Sequence, residues 1–267
     1  MCTQADLDIA VSAARTAFNK WSKTTFEERR AALHCYADGL DHYKDEFANL
    51  LVTEQGKPLA QAQTEAWAAV AFLRGISSLS MNEEVLEDTD KHKIISRYTP
   101  LGVACGIVPW NYPLLLACGK IAAAIYTGNA IILKPSPFTP YCGLKLGELG
   151  MQYFPPGVLQ VLSGGDDLGP MMTAHSGIDK ISFTGSIATG KKVMESCAKS
   201  LKRVTLELGG NDAAVVCEDV DLEEVIPKVG GNRLLFQEFE FYYYCNSHSD
   251  ESRRLPRLAS TAPAKSA

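Results

Sequence analysis

Four short segments carry residue types that could do chemistry. The run GSIATGK (185–191) follows an apolar stretch and precedes a helical one, and it fits the first seven positions of a phosphate-binding loop. The eighth position needs Ser or Thr to hold Mg²⁺, and Lys192 stands there, so nucleotide hydrolysis is a remote alternative even with VVCED (215–219) downstream as a second carboxylate motif. What the spacing does support is anion binding: Gly185 and Ser186 open a helix whose free N–H groups and dipole favour a pyrophosphate. A glycine-rich turn without a ligand is the plainer reading. In PWNYP (109–113), Asn111 could donate to a developing oxyanion, or it could simply cap the helix that starts near Pro113. ELGGND (207–212) sets Glu207 at the end of an apolar run before two glycines, which makes it a candidate base or an ordinary strand-end carboxylate. Lys134 in ILKPS occupies a similar strand end, where a lysine is usually a surface group.

The elements that must position these groups are legible from periodicity. Residues 3–22 place Leu7, Ala10, Ala14, Ala17, Phe18 and Trp21 on one helical face behind the capping spacing Thr3-x-x-Asp6. A second helix is expected from Thr25-x-x-Glu28 through Leu33, Ala37, Leu40, Phe47 and Leu51 to Gly56, and a third over roughly 59–81. From Arg97 onward, apolar runs at 103–108, 130–134, 158–163, 180–185, 204–210 and 212–219 alternate with helical stretches near 113–127, 140–153, 166–175 and 187–200. Continuously apolar strands alternating with helices predict an α/β fold: N-terminal helices followed by a doubly wound, Rossmann-like parallel sheet, with ligands at the carboxyl ends of its strands. The organisation expected is an N-terminal helical part over 1–96, a dinucleotide-binding core over 97–229 and a disordered tail, foreign to the fold, over 230–267. That tail lacks any sustained period and ends in a Ser/Ala/Pro/Arg-rich run. Within it, FQEFEFYYYC (236–245) combines aromatic density with low charge, a composition prone to intermolecular strand pairing.

Composition narrows the function classes. With 267 residues, 46% hydrophobic and a formal charge of −5, the chain has material for a substantial core and no global basic field for a nucleic-acid backbone. Its eight cysteines form no C-x-x-C pair and its five histidines are too dispersed for a ligand cluster, so neither a disulfide framework nor a metal site is expected. The start, MCTQADLDIAV, carries acids where a secretory signal carries bases, which points to a reduced, cytoplasmic setting. The most apolar stretch, 113–133, holds Lys120 in its middle and Gly128-Asn129 near its end; a core helix stopping at Gly128 and then a strand are expected, not a membrane span.

Taken together, TPLGVACGIVPWNYP, NAIILKPSPFTP, ISFTGSIATGKKV and VTLELGGND resemble, in order and spacing, four motifs of the aldehyde dehydrogenase family, with the resemblance running from about residue 3 to residue 229. In that family a cysteine thiolate attacks the aldehyde, hydride passes to NAD or NADP, and a glutamate activates the water that releases the acid. The resemblance implies that Asn111 is the oxyanion donor and Glu207 the general base. It further implies that Lys134 and Ser136 hold the adenosine ribose, Ile107 and Trp110 line the cofactor, and Gly165 and Gly169 flank the adenine side. Gly185 and Ser186 would meet the pyrophosphate, with Leu208 beside the cofactor.

Three departures accompany the resemblance. Pro137 stands where many NAD-preferring members carry a ribose-binding glutamate, which leaves NAD and NADP both open. The chain begins inside the family's first helix. The family's nucleophile lies in an F-x-N-x-G-Q-x-C segment about 35 residues past the base, as the resemblance implies, and here that region reads QEFEFYYYCN. Cys245 falls near the right count without the surrounding motif. The family pattern stops at Val229, as a frameshift, retained intron or truncated gene would leave it, so the substrate domain and the C-terminal oligomerising strand are expected to be absent. Two functions follow: a cofactor-binding portion of an aldehyde dehydrogenase, inactive alone, and a non-enzymatic chain that associates with full-length subunits.

Overall fold

The computed structural model describes residues 2–210, 214–217, 219–221, 223–226 and 241–243. It divides into two units, 1–209 and 210–267. In the first unit, α1 (Gln4–Trp21) starts on a reciprocal cap: Thr3 Oγ1 accepts from the Asp6 amide, and the Asp6 carboxylate accepts from the Thr3 amide at 2.8 Å. Thr25 and Glu28 repeat the device at α2 (Phe26–His42). The single helix expected from 25 to 56 is two. The backbone leaves helical geometry at Tyr43 (φ −97°, ψ 13°), and α3 (Lys44–Gln55) begins beyond it. Neither Pro nor Gly stands at the break, and the apolar stripe runs across it, so periodicity alone does not register it. Following Pro58 comes α4 (Leu59–Ser78).

An antiparallel hairpin unmarked in the sequence reading follows, β1 (Glu84–Asp88) with β2 (Lys93–Ser96). Its apolar residues come as adjacent pairs, Val85-Leu86 and Ile94-Ile95, instead of alternating, and a bulge between Val85 and Glu87 accommodates them. Every residue of both strands is exposed.

The remaining elements are β3 (Val103–Ile107), α5 (Pro113–Tyr126), β4 (Ala130–Lys134), α6 (Tyr141–Gly150), β5 (Leu159–Val161), α7 (Leu168–Ala174), β6 (Lys180–Gly185), α8 (Ile187–Ala198) and β7 (Arg203–Leu208). The five strands form one parallel sheet in the order β5-β4-β3-β6-β7, the expected doubly wound arrangement. A parallel sheet must be covered on both faces, and β4 shows how the sequence does it. Ile131 and Leu133 enter a core shared with α2 to α6, whereas Ala130 and Ile132 enter a second core with α1, α7 and α8. The helix α5 ends where expected: Gly128 takes φ +82°, and a Cβ there would lie 2.0 Å from a guanidinium nitrogen of Arg29.

Of the run at 212–219, expected in the main sheet, 214–217 and 219 are described, and none of these residues is in a strand of that sheet. In the second unit β8 (Ala214–Val216) pairs in parallel with β9 (Phe241–Tyr243). A three-residue strand is too short to show a period, so β9 is invisible in the sequence pattern of the tail, although its residue types favour extended backbone. The rest of 230–267, Cys245 included, lies outside the described residues.

Candidate functional site

From β3 the chain winds through β4 to β5 on one side, then returns to place β6 and β7 on the other. Such a reversal opens a crevice past the carboxyl ends of the two central strands, here β3 and β6, with α5 and α8 starting on either side. The register aligns the row: Ile107 stands opposite Lys134 and Phe183, Thr184 opposite Glu207, and Gly185 opposite Leu208. Trp110 and Asn111 leave the end of β3, Ser136 that of β4, and Ser186 that of β6. Gly165 precedes α7 and Gly169 lies in its first turn. Ser186 and Lys134 therefore lie past the same edge, and the residues singled out from the sequence, Gly169 in α7 and Cys245 apart, are on this row or in the loops leaving it.

Two features of the edge favour an anion. Ser186 is the N-cap of α8, its Oγ accepting from the Thr189 amide at 3.2 Å and its carbonyl accepting from Gly190 at 2.9 Å. The amides of Ile187 and Ala188 are left without an intrahelical acceptor, at the positive end of the helix dipole. Lys134 is only 6% exposed, yet among the described residues its ammonium makes one long bond, 3.4 Å to the Pro135 carbonyl. Burial lowers its pKa, with Cys105 and Asp166 acting in the opposite direction. Nearby in sequence, the hydroxyl of Thr139 is buried and unpartnered among the described residues. An ammonium and a hydroxyl with bonding capacity to spare suit the hydroxyls or phosphate of a ribose.

The cap of α5 bears on the two readings of Asn111. The leading amides of α5 are capped by Glu65 of α4, whose Oε1 accepts from Leu114 at 2.9 Å and Leu115 at 3.1 Å. Asn111 is exposed; its Oδ1 accepts from the Tyr112 amide at 3.1 Å, and its side-chain NH₂ donates to no described residue. Helix capping therefore does not occupy that amide. Glu207 is also exposed, on the edge strand β7.

Sequence reasoning missed the group that connects this row from below. Lys120 of α5 crosses the sheet face over Gly106 and donates to Ser182 Oγ and Thr184 Oγ1, each at 3.0 Å. A Cβ on Gly106 would come within 3.2 Å of the Lys120 stem. Burial pushes the Lys120 amine down to about 8, with Glu207 the leading charge that opposes the shift. The available signal was a lysine inside the most apolar helix. Glu65 and Lys57 were missed too, and Glu65 is a charged residue on the buried stripe of α4.

The buried cysteines of β3, α5, α6 and α8 offer no activated thiol. Burial pushes Cys105 up to about 12 and raises Cys118, Cys142 and Cys197, the direction opposite to what a nucleophile requires. No described group of His, Cys, Asp and Glu could hold a metal ion, and no described helix is long and apolar enough to cross a membrane.

Fold and edge together define a Rossmann-like α/β domain. The aldehyde dehydrogenase family model matches residues 1–237, and the chain belongs to that family. The FUS7 protein of Gibberella moniliformis is 48% identical over 231 residues, covering 86% of this chain and 50% of that one. Among solved structures, an aldehyde dehydrogenase from Brucella melitensis superposes with a TM-score of 0.84 at 31% identity, over 86% of this chain and 49% of that one. Betaine aldehyde dehydrogenase from Staphylococcus aureus, solved in complex with NAD⁺, gives 0.80 at 32% identity, over 83% and 45%. The chain thus spans about half the length of the relatives it matches.

Proposed function

We propose that this chain binds NAD⁺ or NADP⁺ across the carboxyl edge of its sheet and carries the cofactor half of an aldehyde dehydrogenase site in a cytoplasmic setting. The observation that carries the reading is the open, serine-capped start of α8 at the reversal of strand order, on the same edge as an under-bonded buried ammonium. In this reading the α8 amides and Ser186 receive the pyrophosphate, and Lys134 and Ser136 take the adenosine ribose. Ile107, Trp110 and Leu208 line the nicotinamide side, and Gly165 and Gly169 flank the adenine. When bound, the cofactor supplies the hydride acceptor. Asn111 offers its free amide to a developing oxyanion, Glu207 takes the proton from water, and Lys120, titrating near 8, passes a proton on beneath it. With proline at 137 no carboxylate at that position opposes a 2′-phosphate, so both nucleotides belong in the test.

Calorimetric titration of the folded chain with each nucleotide is the experiment. Ser186→Asp sharpens it, because aspartate caps a helix as well as serine does but places a negative charge where the pyrophosphate sits. The variant is expected to unfold at the parent's denaturant midpoint while cofactor affinity falls about tenfold or more. Heat with neither nucleotide, or equal affinity in the variant, would count against the reading.

A second reading, association with full-length family members, is favoured by the hairpin. Two strands are marginal in water, and this pair exposes Val85, Leu86, Ile94 and Ile95. Light scattering should then detect self-association that Leu86→Lys with Ile94→Lys abolishes. A strictly monomeric parent would dispose of this second reading.

A further inference from the structure

Lys57 and Glu65 form the one ion pair among the described residues with both side chains buried, 6% and 0% exposed. Withdrawing two charges from water is unfavourable, and apolar side chains of similar volume hold helices together as well or better. This pair, however, grips a particular turn. Glu65 binds Lys57 through Oε2 and reserves Oε1 for the amides of Leu114 and Leu115. The Lys57 ammonium also donates to the main-chain carbonyl of Asn111 at 3.1 Å and lies 4.2 Å from the centre of the Tyr112 ring. Both ends of the turn 111–115 are therefore tied to one buried point. Among the described residues the Asn111 side chain bonds only to the next amide in the chain, so its place in space is set by the main chain that Lys57 holds.

The carboxylate has a second consequence. The start of α5 borders the same crevice as the start of α8, and each helix dipole attracts an anion there. Glu65 already supplies one to α5, which leaves α8 as the helix that takes an incoming anion. We infer that Lys57 and Glu65 are positioning residues: they preset the Trp110–Asn111 turn and close the α5 terminus, so that the cofactor pyrophosphate is directed to α8. This rests on the roles given above to Asn111 and α8.

The test separates positioning from mere support. Lys57→Met combined with Glu65→Gln removes both charges together and leaves neither partner stranded; Lys57→Gln with Glu65→Gln is a second such variant that keeps hydrogen-bonding groups. In a Trp67→Phe background, Trp110 is the exposed tryptophan, because Trp21 is buried and donates to the Ile125 carbonyl. Acrylamide quenching of the cofactor-free protein then reports on the turn. In a pair variant with the parent's thermal midpoint, the quenching constant should change by roughly a factor of two and the NAD(P)⁺ dissociation constant should rise about fivefold or more. An unchanged Trp110 signal in either folded variant overturns the inference, whatever happens to cofactor binding. Should the folded parent show no cofactor response, the reading of the α8 site falls, and Trp110 quenching still decides the role of the pair.

Discussion

The folded 267-residue chain, given saturating NAD(P)⁺ and a panel of aldehydes, is expected to form no NAD(P)H above background. Hydride leaves an aldehyde carbon readily only after a nucleophile has added to it, and loss of a nucleophile that works within a unit costs roughly a factor of 10⁶ in kcat. In the roles proposed for them, Asn111 as oxyanion donor and Glu207 as base, neither residue can make that adduct. Cys105 of β3, Cys118 of α5 and Cys142 of α6 are buried and shifted away from thiolate. Cys245 is near the family's spacing but stands in QEFEFYYYCN, without the family's motif around it. A free thiol at about 8.5 is only a few per cent thiolate at neutral pH. Turnover is followed by absorbance of the reduced cofactor, with Cys245→Ala as the control. Robust activity lost on that substitution would show that the tail rebuilds a nucleophile site and would overturn this expectation; activity untouched by it would expose a contaminant or a different mechanism.

Most of what positions the edge was legible because its causes are local. Thr3 with Asp6, Thr25 with Glu28 and Ser186 with Thr189 are caps written within four residues of sequence, and the structure forms each. The strand KISFTG is described over the expected residues, 180–185, because a buried parallel strand is a continuous apolar run between turn residues. The failures share another cause. Glu65 meets Leu114 across 49 positions and Lys57 meets Asn111 across 54, and no spacing rule connects residues that far apart. Lys120 marks itself only as a charge in an apolar helix, and what it reaches, Ser182 and Thr184, depends on how α5 lies across the sheet. The break at Tyr43 and the hairpin over 84–96 carry no Pro, Gly or alternation to announce them. Local chemistry thus marks the strand ends and caps of the proposed site, while the buried charges beneath them had to be read from tertiary structure.

Of those buried charges, Lys120 makes the sharpest thermodynamic prediction. Its amine titrates at about 8 in the folded chain against an ordinary 10.5, because burial disfavours the ammonium more than Glu207 favours it. Between these values the unfolded chain holds more protons than the folded one, so this group makes stability rise with pH. Below about pH 8 both states are protonated and the folded chain carries the full burial penalty; by pH 10.5 the penalty has lapsed. The pH-dependent part is at most about 3 kcal/mol. Lys120→Met keeps the length of the side chain and removes its proton. Loss of the bonds to Ser182 and Thr184 adds a constant offset, and other titrating groups cancel in the comparison. Urea unfolding of parent and variant from pH 7 to pH 10.5 should therefore show the parent gaining on the variant as pH rises. Glu207→Gln provides the decisive arm, since removing the leading charge that opposes burial must move the window to lower pH. A parent-to-variant difference that stays flat across the range, or a window that ignores Glu207→Gln, would mean that Lys120 titrates as an ordinary solvated lysine and handles no proton for the row above it.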